Sequence, residues 1–291
     1  MVYRFKHSDS NITVALRRIA LDQIDKALAS SKQRDDLHAG IHDARKKCKK
    51  LRGLIRLVRP AFSAYSDENS ALREAARHLA PLRARGADIE TLDRLVCGYP
   101  DDIDRDAAET VRAALKGRAD VAEIYGLEAR LAAFCIDIMA CRQRISGWTL
   151  NDTGFSSLRE GLEKTYASAR KHMRIADKTR TPQAMHEWRK QVKYHWYHAR
   201  LLKRLKPKKI APRITAAREL SQLLGDHHDL VDFRTLLEDA TMPSDAGKAI
   251  FAHIAVDMAR LEEASFHLGG KLFAAKPEVH GNRWRTWWPD W

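Results

Sequence analysis

His42, Arg45, Lys46, Lys49 and Arg56 recur 144 residues later as His186, Arg189, Lys190, Lys193 and Arg200. Five identical polar residues within a fifteen-residue window point to one device present twice. Its chemistry is anion binding. Arginine offers a planar fork of donors that matches phosphate oxygens, and lysine offers a point charge. The spacing is helical. With about 100° per residue, Arg45, Lys46, Lys49, Gly53 and Arg56 fall within about 60° of His42. Ala44, Cys48, Leu51, Leu54, Ile55 and Val58 fall on the far side. The second copy presents His186, Arg189, Lys190, Lys193, Tyr197, Arg200 and Arg204 on one face, with Ala184, Trp188, Val192, Ala199 and Leu202 opposite. From residue 42 to 56 such a stripe extends roughly 21 Å. That length suits an extended chain of phosphates better than a single small anion.

The charge of the whole chain is concentrated there. The formal net charge is +14. Residues 41–59 hold eight basic side chains, Arg52 among them, against the single acid Asp43. Residues 186–209 hold nine against the single acid Glu187. The remaining residues are balanced, with 35 basic and 36 acidic. Like charges at i,i+3 and i,i+4 repel by a few tenths of a kcal/mol per pair, and a merely solvated helix face intersperses glutamate. Stripes without acids, at matched positions, call for a negatively charged partner. On such a face each histidine is depressed by its cationic neighbours and raised again by a bound anion. It serves either as a neutral donor to a phosphate oxygen or as a pH-sensitive charge.

Helical periodicity positions these stripes. Residues 14–28, 41–58, 72–79, 111–115 and 127–145 read as amphipathic helices, the second ended by Pro60. A loop follows at Gly147–Gly154, where Asn, Asp and Gly cluster. The order then repeats over 155–173, a helix opened by Thr181-Pro182 and ended before Pro207, then 216–224, 230–237 and 246–268. A shift of 145 also superimposes Arg73-Glu74 on Arg218-Glu219. The expectation is an all-α protein of two helical bundles, residues 1–150 and 151–291, related by a pseudo-twofold around a central basic groove or pore. Only 14 Gly and 9 Pro residues occur, which disfavours a turn-rich β architecture.

Other chemistries have weaker support. Cys48, Cys97, Cys135 and Cys141 form no C-x-x-C pair, so buried free thiols are expected rather than a zinc or redox site. In His227-His228-Asp229, adjacent helical residues point about 100° apart, so one ion does not easily take both rings. Gly225 as a helix stop and Asp226 as the next N-cap account for that string. No metal or cofactor is called for. The N-terminal MVYRFKHSDS lacks the apolar stretch of a signal peptide. The longest apolar run, Leu131–Ile136, is too short to span a membrane. A cytoplasmic protein is expected. The tail RWRTWWPDW carries Trp284, Trp287, Trp288 and Trp291, read first as packing onto a bundle and second as a docking or base-stacking segment.

The runs HDARKKCKKLRGLIRLVR (42–59) and HEWRKQVKYHWYHARLLKR (186–204), with LREAARHLAPLR (72–83) and RELSQLLGDHHDL (218–230), resemble the CHAD family, the conserved histidine α-helical domain. The resemblance covers essentially the whole chain. It implies two four-helix-like bundles around a basic pore, and inorganic polyphosphate as the partner, with association to polyphosphate granules. It also implies roles for Arg17 and Arg18, which match the family's basic first helix, and for Arg159 and Arg170, their second-half counterparts. The first half departs from the pattern. Where the second has Gly225-Asp226 and Asp229, the first has Ala80-Pro81 and Ala84, and an acid returns only at Asp88. Two rival functions stand beside non-catalytic polyphosphate binding. Nucleic-acid binding is one, although the first stripe has no aromatic residue to stack a base. Polyphosphate or triphosphate hydrolysis is the other, although it needs metal-holding carboxylates, and the E-x-E-x-K signature of the triphosphatase domain sometimes fused to CHAD domains is absent. No membrane or protein partner is indicated.

Overall fold

In the computed structural model the described residues are 3–33, 35–80, 84–123, 126–239 and 244–288, and they are all-helical. Eleven α-helices follow in order among them: α1 (Ile12–Ser31), α2 (Leu37–Leu57), α3 (Tyr65–His78), α4 (Ala84–Gly98), α5 (Arg105–Glu123) and α6 (Leu127–Arg144), then α7 (Ser156–Thr179), α8 (Pro182–Leu201), α9 (Pro207–Asp239), α10 (Ser244–Leu272) and α11 (Pro277–Trp287). Pro81, Trp291 and the side chain of Ala84, singled out in the sequence, lie outside the described residues. Among the described residues no helix is long and apolar enough to cross a membrane.

The two stripe-bearing helices are fixed by local chemistry first. Asp36 caps α2, its Oδ1 accepting from the Ala39 amide at 2.8 Å. Thr181 caps α8 by accepting from the Ala184 amide at 3.3 Å, and Pro182 fills the first helical position, where its missing N–H costs nothing. Opposite the stripes, α2 buries Ile41, Ala44, Cys48, Leu51, Leu54 and Ile55, and α8 buries Trp188, Val192, Ala199 and Leu201. Each large apolar side chain of this kind contributes about 1.5–3 kcal/mol on burial.

Helices α1, α2, α3 and α6 pack into one bundle, and α7, α8, α9 and α10 into a second. The cores cross the midpoint of the chain. The first also takes Phe155, Leu158, Leu162, Trp284 and Trp288 from the second half. A third core joins Leu92, Leu95 and Val111 of α4 and α5 to Phe233, Ile250 and Ile254 of α9 and α10. The ends of α2 and α8 are each covered by the opposite half. The Leu201 carbonyl accepts from the Phe5 amide at 3.0 Å. The Leu57 carbonyl packs on Gly161 of α7, where any side chain would collide with it.

Two expectations need correction. Gly225 does not stop a helix, because α9 runs unbroken from Pro207 to Asp239. Gly225 is buried 3.4 Å, measured from the place of a Cβ, below the Arg189 guanidinium, and Asp226 binds Arg94 at 2.6 Å instead of capping. Of the four free thiols, Cys48 and Cys141 are buried, but Cys97 is exposed and Cys135 half-buried. Burial pushes the Cys48 thiol up to about 12, which leaves it unreactive. Over its described residues the tail packs on the protein: α11 lies on α7 with Trp284 fully buried, and the Trp284 indole N–H donates to His280 Nε2 at 2.9 Å.

Candidate functional site

Helices α2 and α8 cross, and beside the crossing a cleft of about 850 Å³ opens between them. One wall carries His42, Arg45, Lys46 and Lys49 of α2. The other carries Arg189, Lys193, Trp196 and Tyr197 of α8, and α9 adds Arg218, Ser221 and Gln222. Part of each stripe thus faces one space: the first half of the α2 stripe, and Arg189, Lys193 and Tyr197 of the α8 stripe. Arg45 is braced by a 2.7 Å bond from Nη1 to the Ala76 carbonyl of α3. Asp43, the only acid of the first stripe segment, stands 3.3 Å from Lys47 and 3.6 Å from Lys46. Burial works to raise its carboxyl, but Lys47 and Lys46 outweigh burial and hold it below its usual range. The rim also carries Asp36, Glu90 and Asp229.

The remaining sequence-assigned residues do not line this cleft. Arg17 Nε donates to the Trp148 carbonyl at 2.8 Å. Arg18 grips buried Asp9 with both Nε (2.6 Å) and Nη2 (2.7 Å), an internal ion pair. Arg52 donates to Asn69 at 3.0 Å, and Arg56 covers the Tyr194 ring at 4.2 Å. Arg200 lies 5.0 Å over Trp196. Lys190 pairs with Glu187 at 2.8 Å, and Arg204 is exposed beyond the end of α8. Arg159 binds Glu163 (2.9 Å) and Asn282 (2.6 Å) at one surface depression, and Arg170 lines another on α7.

The histidines differ. His42 is an exposed part of the cleft wall. His186 is half-buried, its ring 4.3 Å from that of His228. Burial, then Lys190 and Arg189, lower its pKa, so it is neutral near pH 7. His227 turns away to Glu262 at 3.0 Å, while His228 lies 3.4 Å from Asp232. Among the described residues no three His, Cys, Asp or Glu side chains converge as a metal site requires. The acid that returns in the first half, Asp88, sits near the acids of α9. Burial, then the charges of Asp232 and Asp229, push its carboxyl up to about 6.

Sequence reasoning did not assign Arg218, Ser221, Gln222 or Gln33 to the site. The match of Arg218 to Arg73 was a signal, but Arg73 itself bonds to Glu74 and Ser70 away from the cleft.

Comparison with known proteins places this geometry. No curated protein matches the chain. Among solved structures, PptA from Streptomyces chartreusis is similar in fold, with a TM-score of 0.64 at 13% sequence identity, over 91% of this chain and 100% of that one. The CHAD domain family model matches residues 17–238, a span that holds both stripes and the cleft between them, and the chain belongs to that family.

Proposed function

We propose that the cleft binds linear inorganic polyphosphate and does not hydrolyse it. The observation that carries this reading is the convergence of Arg45, Lys46 and Lys49 with Arg189, Lys193 and Arg218 on one cleft. Family membership and fold support a polyphosphate-related role. A phosphate chain lying between the helices is neutralised from both sides at once. A bound anion works against the lowering that Lys190 and Arg189 add to burial at His186. In the same reading the two halves are a pseudo-twofold pair, one stripe from each.

The aromatic residues favour polyphosphate over single-stranded nucleic acid. Base stacking needs an open ring face. Trp196 stacks on Tyr197 with centroids 5.4 Å apart and has Arg200 over it, while Tyr194 lies under Arg56. The carboxylates argue for binding over turnover. Asp43 is held by lysines, and Asp229 lies 4.0 Å from Arg94.

Calorimetric titration with long-chain polyphosphate, pyrophosphate and single-stranded DNA at near-physiological salt tests the reading. Long-chain polyphosphate binds most tightly, with an affinity that falls steeply as salt rises, because several counterions are released. Tighter binding of DNA contradicts it. So does divalent-metal-dependent phosphate release that Lys49→Ala abolishes.

A further inference from the structure

We propose that α7 carries a second phosphate-chain groove, separate from the cleft; the proposal rests on reading the cleft as a polyphosphate site. Arg170, Lys171, Arg174 and Lys178 wall a surface groove of about 420 Å³, with Ile175 and Pro277 as its apolar floor. Arg170, Arg174 and Lys178 follow one another at i+4, a stripe roughly 12 Å long. None of the four is paired with a carboxylate among the described residues, although Lys164 on the same helix pairs with Glu160, and Arg180, just beyond its end, with Asp177 and Glu262. Four cations placed together without counter-charge repel one another, and a bound anion relieves that repulsion. Pro277 opens α11 here, and Glu278 in the first turn of that helix offsets its positive end, so the field of the groove comes from the four side chains.

The groove shares no lining residue with the cleft, so both can be occupied together. It also lacks aromatic side chains, which suits a phosphate backbone better than a nucleobase. A protein with two such sites holds two segments of polyphosphate and bridges chains, gaining avidity without a new kind of contact.

Tripolyphosphate, a short chain, is the probe. Calorimetry on the full chain should give two binding events. Replacing Arg170, Lys171, Arg174 and Lys178 together by Gln should leave only the cleft event. Lys49→Gln with Lys193→Gln should leave only the α7 event. If the fourfold variant fails to fold, Lys171→Gln with Lys178→Gln should weaken the second event about tenfold, while Arg170→Lys with Arg174→Lys, which keeps the charge, should weaken it less. A single event that survives the α7 substitutions and is lost with Lys49 and Lys193 overturns the second site but leaves the cleft reading intact. No event in the unaltered protein removes the cleft reading itself. Capture by anionic phospholipid vesicles that needs the α7 residues, with unchanged tripolyphosphate stoichiometry, also overturns the proposal.

Discussion

Tyr197 packs its ring on Gly53, its own counterpart 144 positions earlier, so closely that a Cβ on Gly53 would stand 2.8 Å from Tyr197 Cδ2. Contact between equivalent positions is what a twofold axis produces when it passes through a crossing. The flanking residues follow the same exchange. Arg56 covers Tyr194 at 4.2 Å. The positions that correspond, Lys50 and Arg200, are also neighbours: burial and then the charge of Arg200 bring the Lys50 ammonium down to about 8. This exchange supports the proposed duplication, and it sets the distance between the two stripes.

Gly53→Ala therefore destabilises the protein, although alanine normally improves a helix interior. Overpacking of this kind costs about 1–3 kcal/mol. In a Tyr197→Ala background the same substitution costs much less, and denaturant unfolding of the four proteins in the cycle measures the difference. Equal costs in both backgrounds would show that the two positions do not touch.

Acid weakens the fold before most carboxylates titrate. His195 and His198 are fully buried, His198 Nε2 lies 3.0 Å from the Gly53 carbonyl, and burial holds both rings down to about 3. The folded state refuses protons that the unfolded chain accepts below about 6.5. The stabilisation is complete above that pH and is lost as pH falls from about 6.5 towards about 3. Each histidine contributes a slope of up to about 1.4 kcal/mol per pH unit. Asp88, raised to about 6, works in the opposite sense above its unfolded value, so Asp88→Asn gives the cleaner profile. Unfolding free energies at pH 7, 6 and 5 should fall together with pH, and a flat series contradicts the burial of neutral histidines.

The described tryptophans of the tail, Trp284 and Trp288, are buried in the fold. Trp284→Ala removes a fully buried indole and its bond to His280. The expected loss is about 3–5 kcal/mol. At temperatures where the variant stays folded, polyphosphate affinity should remain near that of the unaltered protein. A selective loss of affinity with unchanged stability would assign the tail to binding instead.

Much of this architecture was legible because α2 and α8 obey simple rules. The Thr181-Pro182 start of α8, and the apolar faces and cationic stripes of both helices, all agree. The helix α4 was not legible, since its apolar residues Leu92 and Leu95 pack on α9 and α10, far along the chain. Gly225-Asp226 misled for a related reason. Local propensity reads it as a break, while in the structure the glycine lies inside α9 below Arg189 and the aspartate holds Arg94. The cations divided in the same way. Residue type marks Arg18 and Lys49 alike as anion binders, but only the fold shows that Arg18 is paired with Asp9 and Lys49 faces the cleft.

The central claim is that paired stripes, rather than net charge, hold the polyanion. Lys49 and Lys193 face each other's walls of the cleft, whereas Lys208 and Lys209 are exposed on the first turn of α9 and line no part of it. Lys49→Gln with Lys193→Gln and Lys208→Gln with Lys209→Gln remove the same charge. Titration of both double variants with long-chain polyphosphate at one salt concentration compares them directly. The cleft pair should lose at least about tenfold more affinity than the α9 pair, since phosphates neutralised from both sides lose contacts that distant charges cannot replace. Equal losses would mean diffuse attraction to a basic surface and would contradict the cleft as the binding site.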